Sequence, residues 1–269
     1  MANPAELRKL AIVPAYNEED MIGRVVRDIR REAPDFDIVV IDDGSTDRTA
    51  AEAEAEGAAL VRHPFNIGIG GAMQSGFKYA LRHGYDVAAQ VDGDGQHKAE
   101  YLNDMLAKLR TRGKPDMVSG SRFRGDPGYK VPFGRRLGNL IFALVLTVLT
   151  RKRITDATSG FRMTNRRGIE LFARDYPHDY PEVEAILLLH FHRLRIHEVP
   201  VRMNARGFGR SSIDYPRSAY YMVKVLLALF VGLFRRRPTP ADDAPVRPEG
   251  QPVAAGAAVS GMGHDPKAR

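Results

Sequence analysis

No cysteine occurs in this chain, so a disulfide framework and thiolate-held zinc or iron–sulfur centres are excluded. The start, Met1-Ala2-Asn3-Pro4-Ala5-Glu6, lacks the basic and apolar regions of a secretory signal, and a cytoplasmic location is the expectation. No apolar run reaches the roughly 20 residues that a helix needs to span a bilayer; the two candidates, Leu137 to Thr150 and Ala219 to Phe234, stop short of it. No internal repeat is visible. The arginines are scattered rather than massed, without a zinc-finger or recognition-helix pattern, which argues against a nucleic-acid partner.

What is present is a formal net charge of +7 on 269 residues, 43% of them hydrophobic and 27% charged. That length and balance suit one good-sized α/β domain with additions. The positive excess calls for an anionic partner, such as a membrane surface or a phosphorylated substrate. Basic residues flank both apolar runs: Arg135, Arg136, Arg151, Lys152 and Arg153 around the first, Arg235-Arg236-Arg237 after the second. Burial in the core and docking on anionic lipid as an interfacial helix are both open for Leu137 to Thr150. Ala219 to Phe234 has fewer elements left to cover it, so membrane contact is the stronger expectation there.

Short β-rich runs alternate with amphipathic, helix-length segments up to Ser119. Strands are expected at Leu10 to Val13, Phe36 to Ile41, Ala59 to Arg62, Val87 to Val91 and Asp116 to Ser119. Helices are expected at Glu18 to Arg31, Asp47 to Gly57, Gly70 to His83 and Ala99 to Arg112. This alternation predicts a mostly parallel, Rossmann-like central sheet with helices on both faces, binding ligands at the C-terminal strand ends. Further along, Val183 to Phe191 reads as a helix and Arg195 to Val201 as a strand. Three units are expected: a catalytic domain over residues 1–215, an amphipathic membrane-surface helix over 216–237, and a disordered Pro/Ala/Gly-rich tail over 238–269.

The chemistry concentrates where strands end. Asp92-Gly93-Asp94-Gly95-Gln96 follows the strand at Val87 to Val91, and two carboxylates one residue apart can turn toward one Mg²⁺ or Mn²⁺ that also shares substrate phosphates. A solvated acidic turn is the competing reading. Pro14-Ala15-Tyr16-Asn17-Glu18-Glu19 ends the first strand; Tyr16 suits a nucleobase face and Glu18 a base N–H or ribose hydroxyl. Alternatively Asn17 simply caps the next helix. Asp42-Asp43-Gly44-Ser45-Thr46-Asp47 ends the second strand. Three polar lips in one layer make a pocket for a nucleotide and its metal. His97 reads either as support for the metal loop or as an ordinary loop residue. His190 and His192 lie two apart on a helix and cannot share a metal.

Together with Asn66-Ile67-Gly68, Gly120-Ser121-Arg122, Thr158-Ser159-Gly160-Phe161-Arg162 and Glu198-Val199-Pro200-Val201, these motifs resemble family 2 glycosyltransferases of the GT-A fold, in particular the dolichol- or polyprenol-phosphate mannose synthase-like group. The resemblance runs from about residue 10 to 215. It implies that Pro14, Tyr16, Glu18 and Asp43 hold the nucleoside, and that Asp92, with Gly93 beside it, faces the ribose or the sugar. It implies further that Asp94 and Gln96 hold Mg²⁺ or Mn²⁺ on the diphosphate. Arg122 and Arg135 would face the acceptor phosphate and Arg206 the donor diphosphate, completing a catalytic set with Asp94. Gly93 replaces the alanine more common in the family and should loosen its loop, and Ser212 stands where mannose synthases carry a lysine, which weakens the case for GDP-mannose.

The activity so implied is inverting transfer of a sugar from a GDP- or UDP-linked donor to a polyprenyl phosphate at the inner face of the plasma membrane, with a separate small membrane protein as a conceivable partner. A phosphate acceptor needs no general base; a hydroxyl acceptor would, and Glu182 or Glu184 is the nearest candidate. Two other classes remain: a nucleotidyltransferase, whose glycine-rich basic loop is missing after Val13, and an inactive membrane-docked subunit, which the intact Asp92, Asp94 and Arg206 oppose.

Overall fold

A computed structural model describes residues 7–111, 113–126, 128, 133–204, 222–227 and 230–231. Among these the chain forms seven strands: β1 (Lys9–Ala15), β2 (Phe36–Asp42), β3 (Ala59–Arg62), β4 (Val87–Gln90), β5 (Met117–Ser121), β6 (Arg162–Asn165) and β7 (Ile196–Pro200). Seven helices accompany them: α1 (Ile22–Glu32), α2 (Thr49–Ala55), α3 (Gly68–Arg82), α4 (Tyr101–Leu109), α5 (Phe133–Thr150), α6 (Arg166–Arg174) and α7 (Pro181–Phe191). The strands form one sheet in the order β3-β2-β1-β4-β6-β5-β7. β1 runs parallel to β2 and β4, β2 to β3, and β5 to β7. β6 alone runs antiparallel, wedged between β4 and β5.

Alternating side chains divide the core between the two sheet faces. On one face Val13, Val40, Ala89, Val118 and Met163 meet Ile22, Val26 and Ile29 of α1 and Leu102 and Met105 of α4. On the other, Ile12, Val39, Ile41, Ala88 and Met117 meet Met73 and Phe77 of α3 and Ile169 and Phe172 of α6. Each such fully buried large side chain contributes about 1.5–3 kcal/mol of transfer free energy. A third cluster lies to the side, where Phe142, Ala143 and Leu146 of α5 pack on Val183, Ile186 and Leu187 of α7 and on Val225.

The expected mostly parallel sheet is there, with two departures. The pair β6–α6 was not foreseen: Arg162-Met163-Thr164-Asn165 is too short and too polar to show a strand's apolar alternation, since Arg162 and Thr164 are buried alongside Met163. The helix expected from Glu18 begins only at Ile22. Asn17 sits in the left-handed region at φ 53°, which Asn tolerates. Its Oδ1 accepts from the Thr46 N–H at 2.9 Å instead of capping a helix. The neighbouring amides follow the same course, Asn17 N–H donating to Ser45 Oγ and Glu18 N–H to Thr49 Oγ1. The first two lips are thereby stitched together.

The run Leu137 to Thr150 has one buried face and one exposed face. Phe142, Ala143 and Leu146 are buried, while Leu137, Leu140, Leu144 and Val148, at helical spacing, are exposed. Residues 222–227 are helical, and Val223, Leu227, Phe230 and Val231 are exposed as well. Among the described residues no helix is long and apolar enough to cross a membrane. The tail over 238–269 and most of the helix expected over 216–237 lie outside the described residues.

Candidate active site

The C-terminal ends of β1, β2 and β4 open into a cleft of about 340 Å³ lined by Pro14, Tyr16, Glu18, Asp43, Asp92, Gly93 and Asp94, with Asn66, Gly68 and Ile69 opposite. Every residue assigned to the nucleoside and sugar is thus on one wall system, together with Asp94. Tyr16 is exposed at the rim, where a base can lie on it. Asp43 is buried and fully engaged: its carboxylate accepts from His63 Nδ1 at 2.8 Å and from the Ile67 and Gly68 N–H groups at 3.0 and 2.8 Å. It therefore fixes the Asn66-Ile67-Gly68 turn that forms the far side of the cleft. His63 in turn meets Ser75 Oγ at 2.9 Å.

The Asp92–Gln96 loop is tied at both ends. Asp92 N–H donates to His97 Nδ1 at 3.0 Å, so the ring proton is on Nε2, 3.5 Å from Asp92 Oδ2. The imidazole also stacks on Phe161. His97 is a support for this loop rather than a bystander. Gly93 N–H donates to Pro14 O, and a Cβ at Gly93 would come within 3.0 Å of that oxygen. The looser loop expected from Gly93 is not what the structure shows; glycine lets the loop press against β1.

Asp94 Oδ1 accepts from the Gln96 N–H at 3.0 Å. Gln96 O accepts from the Asn204 N–H, and Gln96 does not line the cleft. Among the described residues no cluster of three His, Asp or Glu side chains could hold a metal by itself. The carboxylates of Asp92 and Asp94 on one cleft wall still fit a hard cation of the Mg²⁺ or Mn²⁺ type, which keeps waters and takes substrate phosphates as ligands.

Arg122 is placed elsewhere, just past β5 and buried. Its Nε and Nη2 donate to the two oxygens of Asp156 at 2.7 Å each, and Nη2 also to Thr158 Oγ1. Asp156 is fully buried and was missed in the sequence, where it is one acidic residue in a loop with no periodicity. Glu198 of β7 was likewise noted only within a motif. Its carboxylate accepts from Thr155 N–H, Thr155 Oγ1 and Asp156 N–H. Asn139 of α5 closes the ring, donating to Thr155 O and accepting from Ala157 N–H. Three motifs far apart in sequence, around Arg122, Thr158 and Glu198, are one buried network. The Arg135 side chain, all of Arg206 and Ser212 lie outside the described residues.

Glu182, at the start of α7, is half-buried, and its burial pushes the carboxyl above the usual range, with Asp92 adding to the rise and Arg162 and Arg122 opposing it.

A family model described as Glycosyl transferase family 2 matches residues 10–172. The chain belongs to that family. It is 31% identical to undecaprenyl-phosphate mannosyltransferase of Micrococcus luteus over 219 residues, 77% of this chain and 88% of that protein. To UDP-N-acetylglucosamine–dolichyl-phosphate N-acetylglucosaminyltransferase of Methanococcus voltae it is 30% identical over 211 residues, 71% and 83% of the two chains. Among solved structures, glucosyl-3-phosphoglycerate synthase of Mycobacterium tuberculosis, in complex with Mn²⁺, UDP and glucosyl-3-phosphoglycerate, superposes with a TM-score of 0.64 at 21% identity, covering 83% of this chain and 80% of the other. The fold is GT-A, and the protein is a glycosyltransferase whose relatives include polyprenyl-phosphate sugar transferases.

Proposed function

We propose that this glycosyltransferase moves a sugar, with inversion, from a nucleotide donor to a polyprenyl phosphate at the cytoplasmic face of the membrane. The observation that carries the reading is the cleft that gathers Tyr16, Glu18, Asp92 and Asp94 at three neighbouring strand ends. In it the base lies on Tyr16, with Glu18 and the pinned Asn66-Ile67-Gly68 turn beside it. Asp94, with Gln96 behind it, would hold a divalent cation, which would supply positive charge to the diphosphate. Arg206 is assigned to the donor diphosphate, and Arg135, with the Arg122 that Asp156 holds, to the acceptor phosphate. That phosphate is already anionic, so no residue has to remove a proton from it.

Support for a lipid acceptor comes from the relatives named above and from α5. Its exposed stripe of Leu137, Leu140, Leu144 and Val148 lies on the helix that also carries Arg136 and is followed by exposed Arg151, Lys152 and Arg153. An apolar stripe with basic flanks suits a helix lying on anionic lipid. A second reading, transfer to a hydroxyl, draws on Glu182, whose raised carboxyl beside Asp92 suits a general base. The deciding experiment incubates the purified protein with Mn²⁺, a panel of GDP- and UDP-sugars and either undecaprenyl phosphate or a polyprenol, reading lipid-linked sugar by mass. Product on the phosphate alone supports the first reading, and product only on the hydroxyl replaces it with the second.

A further inference from the structure

Behind Asp92 lies a set of buried polar groups that find no hydrogen-bond partner among the described residues. Arg162 pairs in register with Gln90 of β4 and with Ser119 of β5, so all three side chains leave the same sheet face. Arg162 is only 6% exposed, and its Nε and Nη1 have no hydrogen-bond partner among the described residues. Only Nη2 is engaged, donating to the carbonyl oxygen of Glu182. The hydroxyls of Ser119 and Ser159 are likewise buried without a partner. A buried guanidinium left in this state is costly, and a bound water, ion or ligand is a usual reason that such a group is kept.

The surroundings say what chemistry would complete it. Gln90 Nε2 donates to Asp92 Oδ1 at 2.9 Å, which ties the Arg162 row to the cleft wall. A Cβ at Gly160 would come within 2.9 Å of that amide and 3.3 Å of Asp92 Oδ2, so the segment before β6 packs directly against Gln90 and Asp92. Glu182 and the buried Tyr176 both feel the charges of Arg162 and Asp92. The Arg162 N–H groups, the Gln90 amide and the Asp92 carboxylate are thus successive neighbours. A phosphate there would be repelled by Asp92 and Glu182, and a metal ion by Arg162. A neutral group that both donates and accepts fits, and a sugar hydroxyl is such a group.

We propose that Arg162, with Ser119 and Ser159, recognises hydroxyls of the transferred sugar next to Asp92, and so sets which sugar the enzyme accepts. This rests on the reading of the cleft as a nucleotide-sugar site. It assigns the sugar's discrimination to β6 and the loop before it, apart from the residues that hold the nucleotide. Sites that hydrogen-bond a substrate hydroxyl reject analogues lacking it strongly, because their own buried groups are then left unpaired.

The test is calorimetric binding, with Mn²⁺, of UDP, GDP, UDP-glucose, UDP-N-acetylglucosamine and GDP-mannose to the full chain and to Arg162→Lys, Arg162→Met and Ser119→Ala/Ser159→Ala variants. The preferred sugar nucleotide should lose on the order of tenfold to a hundredfold in affinity in the Arg162 variants, and less in the serine double variant. Affinity for the matching nucleoside diphosphate should stay within about twofold. Equal loss for nucleotide and sugar nucleotide, or no loss for either in folded protein, overturns the inference and leaves Arg162 a structural residue with a trapped water. Should both Arg162 variants fail to fold, the serine double variant decides, and an unchanged sugar preference there overturns it too. A wild-type protein that binds no nucleotide would instead sink the reading of the cleft.

Discussion

The two halves of the sheet hold their polar groups in opposite ways. On the β1–β4 side, carboxylates stand on loops at strand ends and line an open cleft, with Tyr16 and Glu18 reaching solvent. On the β5–β7 side, Arg122, Asp156 and Glu198 are buried and bonded to one another across three segments. The first arrangement leaves groups ready for a ligand that arrives with its own charge. The second fixes one cation in place before anything arrives, and desolvation makes that costly to disturb. An open carboxylate-lined cleft and a closed ionic network thus both draw on acidic side chains, differing in depth.

If that contrast holds, the largest effect on stability belongs to Asp156→Ala, which strands Arg122 in the interior. Removing one partner of a buried pair typically costs about 3–5 kcal/mol, read as a fall in urea midpoint. Asp94→Ala should cost stability little and transfer at least about two decades in rate, measured with the donor and acceptor found by the screen. If Asp94→Ala unfolded the protein while Asp156→Ala did not, the contrast between open and buried halves would be wrong. Next in size, Leu140→Asp with Leu144→Asp should sharply reduce sedimentation with anionic liposomes while leaving nucleotide binding intact; undiminished sedimentation would remove α5 from the membrane surface.

The smallest effect sharpens the boundary between the halves. Glu182 has its folded pKa raised, so wild-type stability is greatest with the carboxyl protonated and falls as pH rises through that value. Glu182→Gln does not titrate, and its melting temperature relative to wild type should climb between pH 5 and pH 8. A constant difference across that window would show that burial does not raise the Glu182 carboxyl.

The sequence was most legible where periodicity and turn chemistry coincide. β1 through α4 follow from alternating apolar runs ended by Asp, Asn and Gly, and the cleft follows because those ends carry Tyr16, Asp43, Asp92 and Asp94 at matching positions. Legibility failed at Arg162 to Asn165, where a strand is made of residues that pattern alone assigns to a loop. It failed for the same reason at Asp156, whose importance lies in Arg122, 34 residues away in sequence. Neither can be seen without knowing that β6 reverses direction. Asn17 shows a subtler limit: its type fits a helix cap, but Thr46 offers its Oδ1 a partner from another loop.

That reversal also has a consequence for the order in which the molecule assembles. Among the described residues β5 pairs with β6 and β7 alone, and β4 meets β1 on one side and β6 on the other. Until the chain has run through all of α5 and returned at Arg162, β5 has nowhere to dock and β4 shows an open edge. Nonlocal pairing of this kind is slow because loop closure precedes any reward, and an open edge invites pairing with other chains. In pulse-labelled refolding, amides of β1 and β2 should gain protection from exchange before those of β5, and protection of β5 and β6 should arrive together. The last strand to find its place would then be the seam between the open cleft and the buried Arg122–Asp156–Glu198 network, so that an unfinished chain lacks both.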